Sequence, residues 1–482
     1  GRGDHGEATH GLFVYRSTMR VPLVLAAPGL APGVRPGPLS LVDVAPTVLA
    51  LAGAPPLPDI DGASFAEGSP APRVVLGETF LPRDHFGFSE LRFAQDATRR
   101  LVEAPSPELY DWRADPGEAR DLAAAEPAEV ARLRAALGAV APPRAASLDP
   151  GLASRLEALG YLTGGGAVDP AVPGASLPNP KDHPDMIELV ETLLVTARTR
   201  PPADAVPMLG AFLERWPNTP SVRVQLARAL ALSGRPREGA DALAPLLAAR
   251  PDDPMLLALR GEMRFAAGED GEPDLTRATA LRPTLSSAWA TLAERARAAG
   301  DPERAADLAT RGLAHVPASP ALLLVRGAAR IDAGDPAAAV DDLLLLVRED
   351  AAHPEARYLL GVALARADRA AEAVGPLEAH LAARPDDARA HAMLGLVLQR
   401  VERPADALPH LEIALADPAV AGDDLRVALA ACLLQTGGDR ARAEALLDAA
   451  GDRADAHRLR ATLRMDEGRV DDALLEMRRA RP

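Results

Sequence analysis

Cysteine is almost absent from this chain, because its 482 residues include only Cys432. A single cysteine excludes a framework of disulfides but does not identify the cellular compartment. Aromatic residues are also scarce, at 3% of the chain, and this scarcity suits helices that pack through small side chains. No apolar run approaches the roughly 18 residues that a membrane helix requires. The sequence therefore predicts no membrane span.

Positive charge is in deficit as well, with 53 Lys and Arg against 68 Asp and Glu and a net charge of −15. Proteins that bind nucleic acid present a basic face, so this balance argues against a nucleic-acid partner. Hydrophobic residues make up 48% of the chain, which is enough for folded cores. The length predicts roughly two to four domains.

Four acids and imidazoles stand close together at the start of the chain: Asp4, His5, Glu7 and His10. Such side chains serve as metal ligands, proton carriers or anion contacts, and the glycines among them let the backbone approach a bound group. Residues 21–26 predict a short buried strand, which would place the cluster on a loop that leads into a sheet. The alternative is a solvated loop, because no spacing here specifies a metal.

Further motifs follow in a fixed order after Gly3-Asp4-His5-Gly6-Glu7. They are Thr9-His10-Gly11, Met19-Arg20-Val21-Pro22, Leu41-Val42-Asp43-Val44-Ala45-Pro46-Thr47, Asp61-Gly62-Ala63-Ser64-Phe65 and Leu109-Tyr110-Asp111-Trp112. In this order, residues 1–142 resemble the C-terminal part of a sulfatase domain of the alkaline phosphatase superfamily. The resemblance implies a truncated α/β domain.

Two parts of the sulfatase pattern are missing from the sequence. Neither the N-terminal pair of metal-binding aspartates nor the Cys/Ser-x-Pro-x-Arg motif of the formylglycine nucleophile is present, and the first methionine is Met19. We therefore expect the chain to be a fragment of a longer protein or a processed one. Its intact parent would be a metal-dependent hydrolase of sulfate or phosphate esters, while this chain lacks the nucleophile.

The resemblance also implies roles for the first histidines. His10 falls at the basic position that contacts the sulfate or phosphate, where it would stabilise developing charge and protonate the leaving group. His5 would also contact the substrate. The metal ligands would lie upstream of Gly1, although Asp4 and His5 are themselves the alternative ligands. The cofactor would be a divalent cation, with Ca²⁺ preferred and Mn²⁺ or Zn²⁺ as alternatives.

The rest of this part predicts short elements without chemistry. We expect a helix around residues 41–51 that begins near Asp43, short strands at 74–76, 91–93 and 101–102, and a helix at 127–138. His85, in a polar turn, is expected at the surface, and the alternative is a place in the substrate pocket. Residues 143–184 predict a linker with one short helix, because their density of Pro and Gly excludes longer regular structure.

A repeat begins at about residue 185. Pro217, Pro251, Pro283 and Pro317 are spaced by 34, 32 and 34 residues. This period, with Gly or Ala where paired helices touch, is typical of the tetratricopeptide repeat. It predicts an all-α solenoid of seven or eight helix pairs over residues 185–482, with Cys432 in its core. The scattered histidines show no shared register for a metal site: His315, His353, His380, His391 and His410.

The concave face of such arrays commonly binds peptides, so a protein partner is expected there. The alternative is a spacer or an intramolecular clamp. The alternative function for the whole chain is an interaction scaffold that carries an inactive hydrolase remnant, and a phosphoester transferase is a third reading. The sequence leaves the compartment open, a periplasmic one included.

Overall fold

The computed structural model describes residues 12–28, 30, 32–34, 38–58, 60–68, 73–138, 177–350 and 353–480. The described residues form two compact units, with the boundary between Asp274 and Leu275. The first unit holds the N-terminal segments and the first repeats, and the second unit holds the remaining repeats. The predicted site residues Asp4, His5 and His10 lie outside the described residues, as does most of the predicted linker.

Within the described residues, the N-terminal part contains three α-helices, a 3₁₀ turn at Leu41–Asp43, a π-helix at Pro82–Phe86 and one sheet. The helices are α1 Arg16–Met19, α2 Val44–Leu51 and α3 Pro127–Leu137, and the strands are β1 Val75–Thr79, β2 Leu91–Gln95, β3 Arg100–Glu103 and β4 Glu108–Tyr110. The strands pair antiparallel in chain order. Short connections favour this pairing, because parallel strands need a long crossover. The predicted strands and the predicted helix at 127–138 are thereby confirmed.

A buried carboxylate organises the start of α2. Ser40 and Asp43 form a capping box around the 3₁₀ turn Leu41–Asp43. The Asp43 carboxylate also accepts a hydrogen bond from the Ala63 amide at 2.9 Å and pairs with Arg73. The prediction that Asp43 begins a helix is confirmed.

One prediction for the N-terminal part fails, and another gains no support. The run from Val21 to Ala26 is not a strand, and Val24 is 92% exposed. A strand requires a partner for its backbone groups, and no described strand pairs with this run. Within the described residues, the only sheet is the antiparallel one. A sulfatase-like α/β fold is therefore not shown there.

The sheet is covered on both faces. On one face, α3 contributes Val130 and Leu133 to a core with Leu101 and Leu109. On the other face, Phe93 and its neighbours share a core with the first repeat helices. Because strand side chains alternate between faces, one sheet of four strands separates the two cores.

The contact between the sheet and the first repeats is aromatic and close. The Phe88 ring stacks on His183 at 5.6 Å, and His183 meets Trp216 edge to face at 5.5 Å. Gly87 has a φ of 75°, and a Cβ there would lie 1.7 Å from the Asn218 carbonyl oxygen. Only glycine fits this position without a shift of the backbone. The N-terminal part and the first helix pairs thus fold around one core.

The repeat helices extend from residue 184 to residue 479. They are α4 Pro184–Thr199, α5 Pro202–Arg215, α6 Pro220–Leu232, α7 Pro236–Ala242, α8 Ala244–Ala249, α9 Pro254–Ala266, α10 Glu272–Leu281, α11 Ser286–Ala298, α12 Pro302–His315, α13 Pro320–Asp332, α14 Pro336–Glu349, α15 Pro354–Arg366, α16 Ala370–Ala383, α17 Ala388–Arg400, α18 Pro404–Ala416, α19 Asp423–Gln435, α20 Arg440–Ala449, α21 Ala454–Asp466 and α22 Val470–Arg479. With α7 and α8 counted as one broken helix, the described residues form nine pairs. The sequence predicted seven or eight.

The 34-residue step sets the contact between paired helices in the second unit. On three of the first helices, a glycine faces a leucine on the second helix of the pair, and a Cβ on the glycine would lie 2.5–2.9 Å from that leucine side chain. The pairs are Gly327 with Leu343, Gly361 with Leu377, and Gly395 with Leu411. This confirms the predicted role of small residues where helices touch. Cys432 is fully buried, as predicted, and burial raises the pKa of its thiol to about 11.

Candidate functional site

The second unit has two kinds of surface, one for each helix of a pair. The first helices of successive pairs, α11, α13, α15 and α17, contact one another, whereas the second helices, α12, α14, α16 and α18, make no comparable contacts. Helices that approach more closely lie on the inner side of a curved stack, so the first helices form the concave side of the array. We call their exposed surface the first-helix face.

Charge is divided between these two kinds of helix. The four first helices carry eight arginines and three acidic residues, and the four second helices carry three arginines and nine acidic residues. The arginines on the first helices are Arg295, Arg297, Arg326, Arg330, Arg357, Arg366, Arg389 and Arg400. In a chain with a net charge of −15, a concave side with excess positive charge is an exception that favours an acidic ligand.

Some of these arginines form buried ion pairs that stabilise the fold. Arg326 and Arg330 both bind the Asp342 carboxylate, at 2.5 and 2.7 Å, and the Asp342 side chain is only 6% exposed. This buried contact ties α13 to α14. Removal of one partner would leave a buried charge, so we assign these two arginines to stability rather than to binding.

Other arginines remain at the surface. Arg366 is exposed and makes a weak 3.4 Å hydrogen bond to the Ile331 carbonyl. Arg400, 34 residues later, donates to the Ala365 carbonyl at 3.2 Å and pairs with the exposed Asp368. Both lie at the C-terminal end of a first helix, where the helix dipole stabilises a cation. Their guanidinium groups remain accessible to a ligand.

An aromatic ring lies at the other end of these helices. The Arg389 guanidinium lies 5.2 Å from the centre of the Tyr358 ring, and the His380 ring packs 5.5 Å from the same ring. Burial raises the pKa of Tyr358, so its hydroxyl remains protonated and can donate. Within the described part of the chain, no group hydrogen-bonds to that hydroxyl. The ring is held in place while its polar end is available.

A carboxylate holds this arrangement together. Asp387 accepts a hydrogen bond from His380 Nε2 at 3.0 Å, and its other oxygen caps α17 through the Arg389 and Ala390 amides. Burial opposes ionisation of Asp387, but these hydrogen bonds outweigh it and lower the pKa of the carboxyl. The carboxylate therefore positions both Arg389 and the His380 ring.

Half-buried apolar side chains lie on the same first helices as the charged groups. Leu324, Leu359, Met393 and Leu396 pack on the core of the second unit while each keeps some exposed surface. Tyr358 completes this set. Arginines beside an apolar stripe suit a peptide that alternates acidic and apolar side chains, because such a chain is amphipathic when extended.

The histidines that the sequence left scattered are partly brought together. His391 Nε2 lies 2.8 Å from the Pro385 carbonyl and must donate to it, so His391 Nδ1 accepts a hydrogen bond from His410 Nδ1 at 2.7 Å. The two rings stack at 5.0 Å. Within the described residues, no group of three or more His, Cys, Asp or Glu is placed to hold a metal ion. The His391–His410 pair therefore joins α17 to α18 and forms no metal site there.

The sequence predicted His85 in a surface turn, but the structure shows a different position. It is half-buried in the π-helix Pro82–Phe86 between β1 and β2, and its carbonyl accepts a hydrogen bond from the Ser221 hydroxyl at 2.6 Å, which joins this helix to α6. Burial, with a smaller effect of Arg250, lowers the pKa of His85. The residue contributes to packing in the first unit.

Sequence reasoning missed the Tyr358–Arg389 contact, although a signal was present. The two residues are 31 positions apart, which in a 34-residue repeat places them near the same end of adjacent first helices. Tyr358 and Trp289 are also the only aromatic residues after residue 274. An aromatic residue in a unit that otherwise lacks them is a marker of a site.

Comparison with known proteins identifies the repeats. Residues 202–263 and residues 329–388 match models of the tetratricopeptide repeat. The chain therefore contains tetratricopeptide repeats, as the sequence predicted. Neither match reaches residues 1–142, so the sulfatase resemblance gains no support. No curated protein matches the sequence.

Several solved structures resemble part of the chain. MamA from Desulfovibrio magneticus RS-1 has a TM-score of 0.31 and 24% identity, over 34% of this chain and 92% of that chain. A tetratricopeptide repeat protein from Parabacteroides merdae has a TM-score of 0.35 and 17% identity, over 47% of this chain and 91% of that chain. YrrB, described as a protein with an unusual peptide-binding site, has a TM-score of 0.33 and 16% identity, over 36% of this chain and 90% of that chain. At these TM-scores, the structures support no inference on function. No helix in the described ranges is long and apolar enough to cross a membrane.

Proposed function

We propose that this chain is an interaction scaffold whose first-helix face binds an extended acidic segment of a partner protein. The observation that carries the proposal is the excess of arginine on the first helices beside an acidic second-helix surface. A carboxylate that reaches Arg366 or Arg400 would form a charge-assisted hydrogen bond, which contributes roughly 1.5–3 kcal/mol.

The contacts around Tyr358 would orient the bound peptide. Its protonated hydroxyl donates to a peptide carbonyl or carboxylate, while Arg389 binds a neighbouring acidic side chain. Leu359 and Met393 offer apolar surface for the residues between. Alternation of these contacts selects an extended acidic peptide over a basic one.

A titration of the full chain tests this proposal. The probe is a fluorescein-labelled peptide of alternating Glu and Leu, compared by anisotropy with a peptide of alternating Lys and Leu. We expect only the acidic peptide to bind, and its affinity should fall as added salt screens the charges. The double variant Arg366→Glu/Arg389→Glu should weaken binding by at least about tenfold, since each reversed contact costs on the order of 1 kcal/mol.

Arg348→Glu is the matched control, because Arg348 is an exposed arginine on the second helix α14 with 74% of its side chain accessible. This variant should bind the acidic peptide as the parent chain does. Equal binding of both peptides, or an equal loss in the control and in the double variant, would contradict the proposal.

For a longer parent protein, we also propose the sulfate-ester or phosphate-ester hydrolase that the motif order of residues 1–142 implies. The divalent cation and the roles of His5 and His10 stay predictions, because Asp4, His5 and His10 lie outside the described residues. We expect this chain alone to be inert toward aryl sulfates with added Ca²⁺. In the active parent, His10→Ala should lower kcat by ~10²-fold, and full activity in that variant would remove His10 from the site.

A further inference from the structure

A cavity of about 350 Å³ lies between the second helices α10 and α12. Its walls are residues of α10 and α12, the loop before α11, and Trp289 of α11 itself. The lining residues are Thr276, Thr279, Ala280, Pro283, Trp289, Arg311, Ala314 and His315. The volume is near the lower end of the range for small-ligand pockets, which suits a ligand about the size of one amino-acid residue.

An arginine is held at this cavity without an acidic partner. The Arg311 guanidinium lies over the Trp289 ring at 4.9 Å from its centre. Within the part of the chain that the structure describes, no carboxylate forms an ion pair with Arg311. The ring contact occupies the face of the guanidinium, so its N–H edge is free to bind a carboxylate with two hydrogen bonds.

The Trp289 ring is itself fixed. Its Nε1 donates to the Pro283 carbonyl at 3.0 Å, and the residue is 5% exposed. The indole therefore forms a rigid apolar floor that ligand binding need not order. A rigid platform lowers the entropic cost of association.

The remaining lining residues decide what kind of ligand fits. His315 follows Arg311 by one helical turn on the same face of α12 and adds an imidazole beside the guanidinium. Ala280, Ala314 and Pro283 are apolar, and none of the lining residues is acidic. The cavity thus offers an apolar wall and an anion-binding edge within the space of one residue.

We propose that this cavity binds the C-terminal residue of a partner peptide, with the free carboxylate on Arg311 and an aliphatic side chain against Trp289. A bulky apolar group and a carboxylate attached to the same carbon occur in a peptide only at its C-terminal residue. An internal Asp or Glu would bring the charge without the apolar group. This site is separate from the first-helix face, and neither proposal requires the other.

The indole N–H of Trp289 reports directly on the cavity. The chain has three tryptophans, Trp112, Trp216 and Trp289, so a ¹H–¹⁵N spectrum of the full chain shows three indole signals. Loss of one signal in Trp289→Phe assigns it. The other two are internal controls, because Trp112 and Trp216 belong to the first unit.

The probe is N-acetyl-L-leucine, and its matched control is N-acetyl-L-leucinamide, which lacks only the charge. We expect the acid to shift the Trp289 signal in a saturable way and the amide to bind at least about tenfold more weakly, as loss of hydrogen bonds to a charged group implies. Arg311→Gln should weaken binding of the acid to a similar extent. Arg348→Gln, on α14, should leave it unchanged.

Three results would overturn the proposal: equal shifts with acid and amide, unchanged binding in Arg311→Gln, or no shift of the Trp289 signal. Circular dichroism of Arg311→Gln verifies that the helices remain folded. Since Arg311 is exposed and Gln retains helix propensity, we expect no loss of helix. Binding of the acidic Glu and Leu peptide is measured in the same variant, and its persistence separates this site from the first-helix face.

Discussion

The two units differ in what fills their cores. Thirteen of the fifteen aromatic residues precede residue 275, and the shared core of the first unit includes Phe13, Phe88, Phe93 and Tyr110. In the second unit, the core cluster between residues 331 and 463 consists of aliphatic residues, alanine and Cys432. Large rings fill the space between the sheet and the first repeat helices, whereas helices with glycine and alanine at the contact approach closely.

The second unit uses its two aromatic residues differently, although Trp289 is itself buried. In the second unit, Trp289 lies under Arg311 and Tyr358 lies under Arg389. Each pair is at a surface that we propose for binding. Rings in the first unit hold layers together, while the two rings in the second unit hold arginines in place.

The largest effect should come from the aromatic contact in the first unit. Phe88 is 1% exposed and stacks on His183, so Phe88→Ala should destabilise the first unit by ~3–5 kcal/mol. Hydrogen exchange measured by mass spectrometry should show faster exchange in β2 and α4. Protection in α13 to α18 should not change.

Val34→Ala serves as the control, because Val34 is 94% exposed and its truncation should alter stability little. If Phe88→Ala leaves hydrogen exchange in α4 unchanged, the claim that the sheet and the first repeats share a core is wrong. If exchange also rises in α13 to α18, the two units do not unfold separately.

A smaller effect on stability is expected from replacing a glycine by alanine in the core of each unit. A Cβ at Gly77 would lie 2.2 Å from the Phe93 ring, and that ring is also held by Arg100 at 3.8 Å. A Cβ at Gly361 would lie 2.5 Å from the Leu377 side chain, which can change rotamer. We expect Gly77→Ala to cost ~1–3 kcal/mol and Gly361→Ala to cost less, because alanine also favours the helix.

Gly210→Ala provides the control for this series. Nothing lies within 4 Å of a Cβ at Gly210 on α5, so this variant should stabilise the first unit by ~0.5–1 kcal/mol. Urea unfolding followed by circular dichroism measures all three variants. A greater loss in Gly361→Ala than in Gly77→Ala would mean that the leucine contact is the stiffer one.

The smallest expected effect is a loss of stability at acidic pH. Burial lowers the pKa of His85 in the first unit, assisted by Arg250, and burial lowers the pKa of His410 in the second unit, assisted by His391. The unfolded chain then binds protons more readily than the folded one, so each histidine costs stability as the pH falls below about 6.5. At higher pH both are neutral in either state and the cost disappears.

Urea unfolding at pH 7.5 and pH 5.5 tests this dependence in each unit. His85→Gln should reduce the loss in the first unit, and His410→Gln should reduce it in the second. Each variant acts on its own unit, as exchange in α6 and in α17 would report. A histidine variant that loses as much stability as the parent chain between these two pH values would contradict the lowered pKa of that histidine.

Local patterns predicted much of the fold because they depend on neighbouring residues. The spacing of Gly361 and Gly395 predicted the helix contacts, and Leu91-Arg92-Phe93 predicted a strand because its residues alternate across a sheet. The run 21–26 failed for a non-local reason. Its apolar residues favour a strand, but a strand forms only where another strand supplies hydrogen bonds.

The candidate sites were less predictable than the elements that carry them. The period predicted first helices and a concave side, but the charge of that side emerged only when each arginine was assigned to a helix. The partners Trp289 and Arg311 are 22 positions apart, and His391 and His410 are 19 apart. Unlike a separation close to 34, these two separations do not mark a contact in the sequence, since the contacts depend on how two helices cross.

The sequence by itself determined the repeat, its helix pairs and the acidic, aromatic-poor character of the chain, because periodicity and composition act through local propensity. The tertiary structure alone decided that the sheet shares its core with α4 to α6, and that Arg311 and Arg389 each lie over a ring. These contacts join residues from different helices and strands. They exist only once packing has brought apolar faces together and excluded water, and that balance is set by the whole fold rather than by any one segment.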